Sequence, residues 1–179
     1  SYLVLLGMAV AAKTIGAKYA IIYIRAEYPE AFRIIEEAIS GLEKRGFLDI
    51  EFIPVQGAGS YVCGEETALL SSLEGQRPEV RLRPPYPVTE GLFLQPTVVS
   101  NVESLACLPS IISLGGEAFS KVGAPKTTGT KLVCFDSFFK KPGVFEVDMG
   151  TPLTEIVNFL GCGTKIPVKA FQVGGPMGV

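Results

Sequence analysis

Hydrophobic positions along the chain fall into blocks of two periods. Leu3 to Thr14 is apolar at nearly every position, and Gly16 stands where such a segment would stop, so a buried helix is predicted there. Tyr19-Ala20-Ile21-Ile22-Tyr23-Ile24 is a short unbroken run of β-branched and aromatic residues, the pattern of a strand covered on both faces in a parallel sheet. Pro29 opens a second helix at its first turn. Ala31, Ile34, Ile35, Ala38, Ile39 and Leu42 then recur at helical spacing, with Glu36, Glu37, Glu43 and Lys44 among the remaining positions, and Gly46 closes the element. Asp49 to Val55 reads as a second strand, Gly57-Ala58-Gly59 as a turn and Gly64 to Leu73 as a third helix. Helix, strand, helix, strand, helix is the order of a layered, Rossmann-like α/β sheet with right-handed crossovers.

Arg77 to Thr97 breaks the pattern. Pro78, Pro84, Pro85, Pro87 and Pro96 exclude a helix or a central strand, so an ordered extended surface loop is expected. Val102 to Leu114 resumes a helical pattern and stops at Gly115-Gly116, and Gly123 to Gly129 reads as a linker. Lys131 to Phe135, the turn Lys141-Pro142-Gly143 and Val144 to Val147 predict a β-hairpin. Thr151 is a candidate N-cap, with Pro152 at the first helical position and Leu153 to Leu160 as a short helix. A strand near Ala170 to Val173 follows, and hairpin, helix, strand is a small β-grasp-like order. The expected division is an α/β domain over residues 1–126 and a β-grasp domain over 127–179. The start at Ser1 inside a helical pattern and the final turn at Gly174 to Val179 suggest a piece of a longer protein.

Composition narrows the chemistry. The 179 residues contain no histidine, which excludes a Ser-His-Asp triad, a Cys-His dyad and a His-liganded zinc site within this chain. Cys63, Cys107, Cys134 and Cys162 are too widely spaced for a zinc ribbon or an iron-sulfur ligand run, and reduced thiols are favoured over two disulfides. Lys plus Arg is 16 against 18 for Asp plus Glu, a balance without the basic excess of a nucleic-acid binder. The apolar stretch Leu3 to Ala12 is too short to span a bilayer, so no direct membrane insertion is expected.

The candidate site is the segment Val55 to Leu70. A glycine-rich turn leaves a strand and opens a helix, the arrangement that lets backbone approach a phosphate or a flat ring. It is not a strict dinucleotide fingerprint, because Val62 stands where a third glycine would be. Taken alone, Gly57 and Gly59 fit a tight turn as well as a ligand cradle. Glu65 and Glu66 complement a helix dipole, and equally suit hydrogen bonds from ribose hydroxyls. Tyr61 is either core or a platform for a ring.

The run Gly57 to Gly75, GAGSYVCGEETALLSSLEG, resembles the signature of the 51 kDa flavoprotein (F) subunits of NADH-quinone oxidoreductase, respiratory complex I, whose relatives occur in NAD-reducing hydrogenases and NAD-dependent formate dehydrogenases. Arg81 to Pro87, Gly91-Leu92, Pro96 to Glu103 and the upstream Ile22 to Pro29 extend the resemblance over essentially the whole chain. It implies an NADH-oxidising flavoprotein that passes a hydride from NADH to FMN and electrons onward to iron-sulfur clusters. It also implies that Gly57, Gly59, Tyr61, Gly64, Glu65 and Glu66 line the FMN and NADH cleft, with Glu66 the ribose contact that favours NADH over NADPH. By the same resemblance Arg83 meets a phosphate, Tyr86 stacks on adenine, and Val99, Ser100 and Asn101 contact FMN. Ser100 stands where the family has the first of two asparagines.

Residues 129–179 resemble the family's β-grasp (SLBB) domain. The family's upstream Gly-Arg-Gly-Gly loop and its C-terminal [4Fe-4S] cysteine cluster do not occur in this sequence, so little NADH dehydrogenase activity is expected of the chain alone. The resemblance implies E-type and G-type partner subunits and a cytoplasmic location, peripheral to the membrane. A reading of a different class is a scaffold: a nucleotide-fold remnant plus β-grasp that turns over nothing.

Overall fold

The computed structural model describes residues 1–46 and 50–174. Two compact units divide at Ser110 and Ile111. In the first, helix α1 (Tyr2–Ile15) leads to strand β1 (Tyr19–Ile24), helix α2 (Pro29–Glu43) and strand β2 (Glu51–Gln56). The strands are parallel, in register from Tyr19 opposite Glu51 to Ile24 opposite Gln56. This is the α/β order expected. The predicted start of β2 at Asp49 lies outside the described residues. Peptide groups of β2 alternate between β1 and the outside, and Glu51 N–H to Lys18 C=O and Gly57 N–H to Ile24 C=O fix the inward set. Pro54 falls in the outward set, where its missing N–H leaves no gap in the ladder.

The core joins one face of each element. Leu5 of α1, Ala20 and Ile22 of β1, Ala38, Ile39 and Leu42 of α2, and Phe52 of β2 form a single buried cluster. From the predicted apolar stripe of α2, Ile35 packs against this cluster while Ile34 stays exposed. α1 ends as expected on Gly16 in the left-handed conformation, φ 73°. At Gly7 it crosses helix α4 (Val102–Leu114) so closely that an added Cβ would lie 1.8 Å from the Leu105 carbonyl oxygen.

The third helix starts later than the sequence suggests. A 3-10 turn covers Tyr61–Gly64, and α3 runs Glu66–Leu73 with Glu65 as its N-cap. The proline loop carries no regular helix or strand, as predicted; it turns at Pro87, Val88 and Thr89, where the Tyr86 carbonyl accepts the Thr89 and Glu90 N–H groups, and again in a 3-10 turn at Leu92–Leu94. Polar bonds anchor it. Arg81 donates from its backbone to Thr67 Oγ1 at 2.9 Å, from Nε to Ser71 Oγ at 3.1 Å and from Nη2 to Glu74 Oε2 at 2.6 Å, and Glu74 Oε1 accepts the Phe93 N–H at 2.8 Å.

In the second unit a four-residue helix, α5 (Gly116–Phe119), precedes two-residue strands β3 (Gly123–Ala124) and β4 (Thr127–Thr128). These pair antiparallel, so the expected linker is a miniature hairpin, closed by Gly129 N–H to Val122 C=O. Strands β5 (Thr130–Phe135) and β6 (Gly143–Asp148) form the predicted hairpin. Its core is aromatic: Phe135 stacks on Phe139 at 4.3 Å, Phe145 lies 5.1 Å from Phe135, and Phe171 lies 5.8 Å from Phe139.

Two expectations for this unit are corrected. Thr151 is not an N-cap: its hydroxyl donates to the Asp148 carbonyl, closing a turn, and Pro152 takes the capping position. The helix that follows is α6 (Leu153–Glu155) continued as a π-helical turn, Ile156–Leu160. Ala170 to Val173 is not a strand. Pairing occurs earlier instead, in an isolated bridge between Phe139 and Thr164, and after Pro167 the chain is tied down by the Phe171 ring rather than by a ladder.

Candidate functional site

β1 and β2 end side by side, so Arg25 and Gly57 follow from the carboxyl ends of two parallel strands, the end of an α/β sheet at which ligands are bound. The turn leaving β2 is shaped by two different demands. At Gly57 a Cβ would lie 2.7–2.8 Å from the Tyr23 ring, so this glycine makes room for protein. Tyr23 is held in place by a 3.0 Å hydrogen bond between its hydroxyl and Ser72 Oγ. Burial and the bond to Cys63 raise its pKa above 10.0, so it is a neutral phenol at neutral pH. Gly59 has φ 86° with open space where a side chain would be, and Gly64 likewise faces nothing within 4 Å. Tyr61, between them, is 87% exposed. The peptide N–H groups of Gly59, Ser60, Tyr61 and Val62 have no partner among the described residues.

Glu65 and Glu66 are adjacent but not equivalent. Glu65 Oε2 accepts from the N–H groups of Thr67 and Ala68, both at 2.9 Å, and from the Thr67 hydroxyl at 2.6 Å. It thereby satisfies two of the backbone donors that open α3. Burial by itself would raise its pKa. The Thr67 hydroxyl, the Ala68 and Thr67 amides and the Arg83 charge outweigh that effect and hold the carboxyl below the ordinary 4.5. Glu66 makes no such cap. Arg83 Nη2 reaches both carboxylates, at 2.5 Å from Glu65 Oε1 and 2.9 Å from Glu66 Oε1. All three side chains are about one-third exposed, at 36%, 31% and 35%. One guanidinium between two carboxylates leaves a net negative cluster beside Gly64.

Arg83 therefore binds acidic side chains here, where the resemblance implies a phosphate. Tyr86 is half-exposed, and its carbonyl accepts the N–H groups of Thr89 and Glu90. In the Val99-Ser100-Asn101 segment, Asn101 Oδ1 accepts the Glu103 N–H at 2.9 Å and so caps α4. Among the described residues no hydrogen bond or ion pair joins Tyr86, Val99, Ser100 or Asn101 to the Glu65–Arg83–Glu66 cluster. A cavity of about 140 Å³ lies under the proline loop, between Thr67 and Leu70 of α3 and Leu82, Pro85, Pro87 and Leu94, and holds none of the predicted site residues.

Two sets of contributors were not singled out from sequence. Arg81 and Glu74 tether the loop that carries Arg83. Arg25 pairs with Glu27 at 2.7 Å, lies 5.8 Å from the Tyr28 ring and adds its charge to the surroundings of Tyr61. Position was the available signal for Arg25, since it directly follows a parallel strand. All four cysteines are free, and among the described residues no cluster of three or more Cys, Asp or Glu side chains is arranged to hold a metal ion.

The residues of the turn after β2 and the start of α3 fit a flavin or nicotinamide nucleotide: an exposed aromatic ring, amides unpartnered among the described residues, glycines with open space beside them and, in Glu66, a carboxylate suited to hydroxyl donors. Comparison with known proteins points the same way. The chain is 45% identical over 172 residues to the NADH-quinone oxidoreductase F subunit of Aquifex aeolicus, covering 91% of this chain and 40% of that one. It is 39% identical to the NADP-reducing hydrogenase subunit HndC of Solidesulfovibrio fructosivorans, covering 96% and 37%. The crystal structure of NAD+-reducing [NiFe]-hydrogenase in the H2-reduced state superposes with a TM-score of 0.84 at 37% identity, over 90% of this chain and 28% of that chain. The chain thus spans about 40% of the length of these curated relatives. Residues 1–110 match the family model described as the Nuo51 FMN-binding domain, and the chain belongs to that family.

Proposed function

We propose that this chain is part of the flavoprotein subunit of an NADH dehydrogenase, in which NADH gives a hydride to FMN and electrons pass on to iron-sulfur clusters. The observation that supports the reading is the turn that leaves the carboxyl end of β2 and leads into α3, in which Gly59 and Gly64 have open space beside them, Tyr61 is exposed and the Glu66 side chain is one-third exposed. FMN, when bound, supplies the conversion of a two-electron hydride into single electrons. The protein's own groups position and select. Tyr61 offers a flat face to a ring. The amides of Gly59 to Val62 donate to polar edges or phosphate oxygens. Glu66 accepts from ribose hydroxyls and repels a 2′-phosphate. Arg83 orients Glu66 while remaining able to exchange it for a phosphate, and Tyr86 on the same loop is the adenine-side aromatic. Val99, Ser100 and the Asn101 side-chain amide are assigned to the flavin.

The nucleotide portion extends to residue 126 and the β-grasp portion from 127, with E-type and G-type subunits as partners and a cytoplasmic, membrane-peripheral location. No described helix is long and apolar enough to cross a membrane. The [4Fe-4S] ligands are assigned to the part of the parent that this chain does not span. Titration of FMN into the full-length parent protein, followed by NADH, tests the reading. Bound flavin that is bleached by NADH is expected. Absence of both events overturns it in favour of a non-catalytic scaffold.

A further inference from the structure

Among the described residues, the second unit contains a sheet edge that no strand covers: β6 pairs with β5 on one side only. Met149 N–H donates to Gly129 C=O in the same register, and antiparallel alternation then directs the peptide groups of Val147, Phe145 and Gly143 inward to β5. Those of Val144, Glu146 and Asp148 face outward. The Asp148 carbonyl is closed by Thr151, whereas the peptide groups of Val144 and Glu146 have no partner among the described residues. Alongside this edge runs a groove of about 340 Å³. Glu146, Asp148 and Glu155 line it together with Ile156, Phe159 and Leu160, and among the described residues no basic side chain does. Phe159 is 77% exposed.

We propose that the outer edge of β6 binds an extended segment of a partner polypeptide by strand addition, a segment in which basic and apolar residues alternate. Strand addition uses the free peptide groups of Val144 and Glu146, and exposed edges of this kind are natural templates for it. The register sets the preference. Glu146 and Asp148 share one face of the hairpin and attract cationic side chains, while Val147 is buried on the opposite face and lines the groove with Ile156, Phe159 and Leu160, which accept apolar ones. Acidic walls without a basic member disfavour an acidic partner.

The test is a titration of the full chain, isotopically labelled, with a synthetic hexapeptide alternating lysine and valine. Saturable amide shifts at Val144 and Glu146 are expected, with no binding by the peptide that carries glutamate in place of lysine. Val144→Pro removes an outward-facing N–H and leaves the β5 ladder intact, so it should retain the melting temperature and weaken binding by about tenfold. Glu155→Lys, exposed and outside the strand, should weaken it by about threefold. Shifts that avoid β6, equal binding of the charge-reversed peptide, or unchanged affinity in both variants would overturn the proposal.

Discussion

Gly57 and Gly59 sit two residues apart in one turn and answer different demands. Gly57 is buried against the Tyr23 ring, and Gly59 is exposed with its backbone in the left-handed region. The same division recurs at Glu65 and Glu66, where one carboxylate closes the first turn of α3 and its neighbour makes no cap but pairs with Arg83. Within a single motif, then, one set of residues builds the wall and another faces what the wall holds. Conformational cost separates the two sets better than residue type does. Changes at Gly57 or Glu65 should register in stability, and changes at Tyr61 or Glu66 in recognition.

The largest effect should come from Gly57→Ala. Its methyl group would enter the Tyr23 ring, which cannot swing away without breaking the bond to Ser72, so a loss of about 2–3 kcal/mol is expected, the upper part of the range for overpacking. Gly59→Ala meets no neighbour and only adopts an unfavoured φ, at about 1 kcal/mol. Chemical denaturation of both variants measures the difference. Equal losses would break the distinction between the two glycines.

Arg81→Ala comes next. It leaves Glu74, whose side chain is only 10% exposed, with the Phe93 N–H as its remaining partner, and also removes a donor to Ser71. Hydrogen bonds to charged groups contribute about 1.5–3 kcal/mol, so a loss of about 2 kcal/mol is expected, accompanied by loosening of the proline loop. Limited proteolysis within residues 82–97 would report the loosening. A stable variant with an intact loop would show that the prolines alone hold the segment.

Most of this was legible at the level of elements. Continuous apolar runs marked α1 and β1, and helical spacing marked α2, because burial imposes those periods. The pairing of Arg83 with Glu65 and Glu66 was not legible, since helix α3 and the start of the proline loop lie between the partners, 18 positions apart for Glu65, and no period links them. The reason for Gly57 was hidden for the same cause: it lies in a ring 34 positions earlier. Thr151 and Pro152 carried a valid capping pattern that lost to a competing bond, the Thr151 hydroxyl to the Asp148 carbonyl. At Ala170 to Val173 the apolar pattern was real, and Phe171 does pack, but by its ring and not through a ladder.

Glu65→Ala removes the N-cap of α3 and should cost about 1 kcal/mol at neutral pH. The pH dependence identifies the cause. Because the folded-state pKa lies below the ordinary 4.5, the carboxylate's contribution is present above the unfolded-state value and is lost as pH falls through the folded-state value. Wild type and variant should therefore converge in stability in acid and diverge toward neutrality. A constant offset down to strongly acidic pH would assign the effect to packing.

Glu66→Gln should be nearly silent in stability, within about 0.5 kcal/mol, because its partly exposed carboxylate makes no cap and ion pairs open to solvent contribute little. Its effect belongs to recognition. The wild-type cluster of two carboxylates and one guanidinium is net negative, and the substitution makes it neutral while keeping a hydrogen-bonding oxygen for ribose. In the full-length parent, the ratio of kcat/KM for NADPH to that for NADH should rise by about tenfold, which corresponds to roughly 1.4 kcal/mol of differential binding. Arg83, released from one of its two carboxylates, would add to the gain by becoming available to the extra phosphate. Glu65→Gln changes the cluster charge equally, yet its side chain stays fixed by Thr67 and Ala68, so a smaller change in the ratio is expected there. Equal ratios in the two variants would mean that net charge, and not the placement of Glu66, sets the preference.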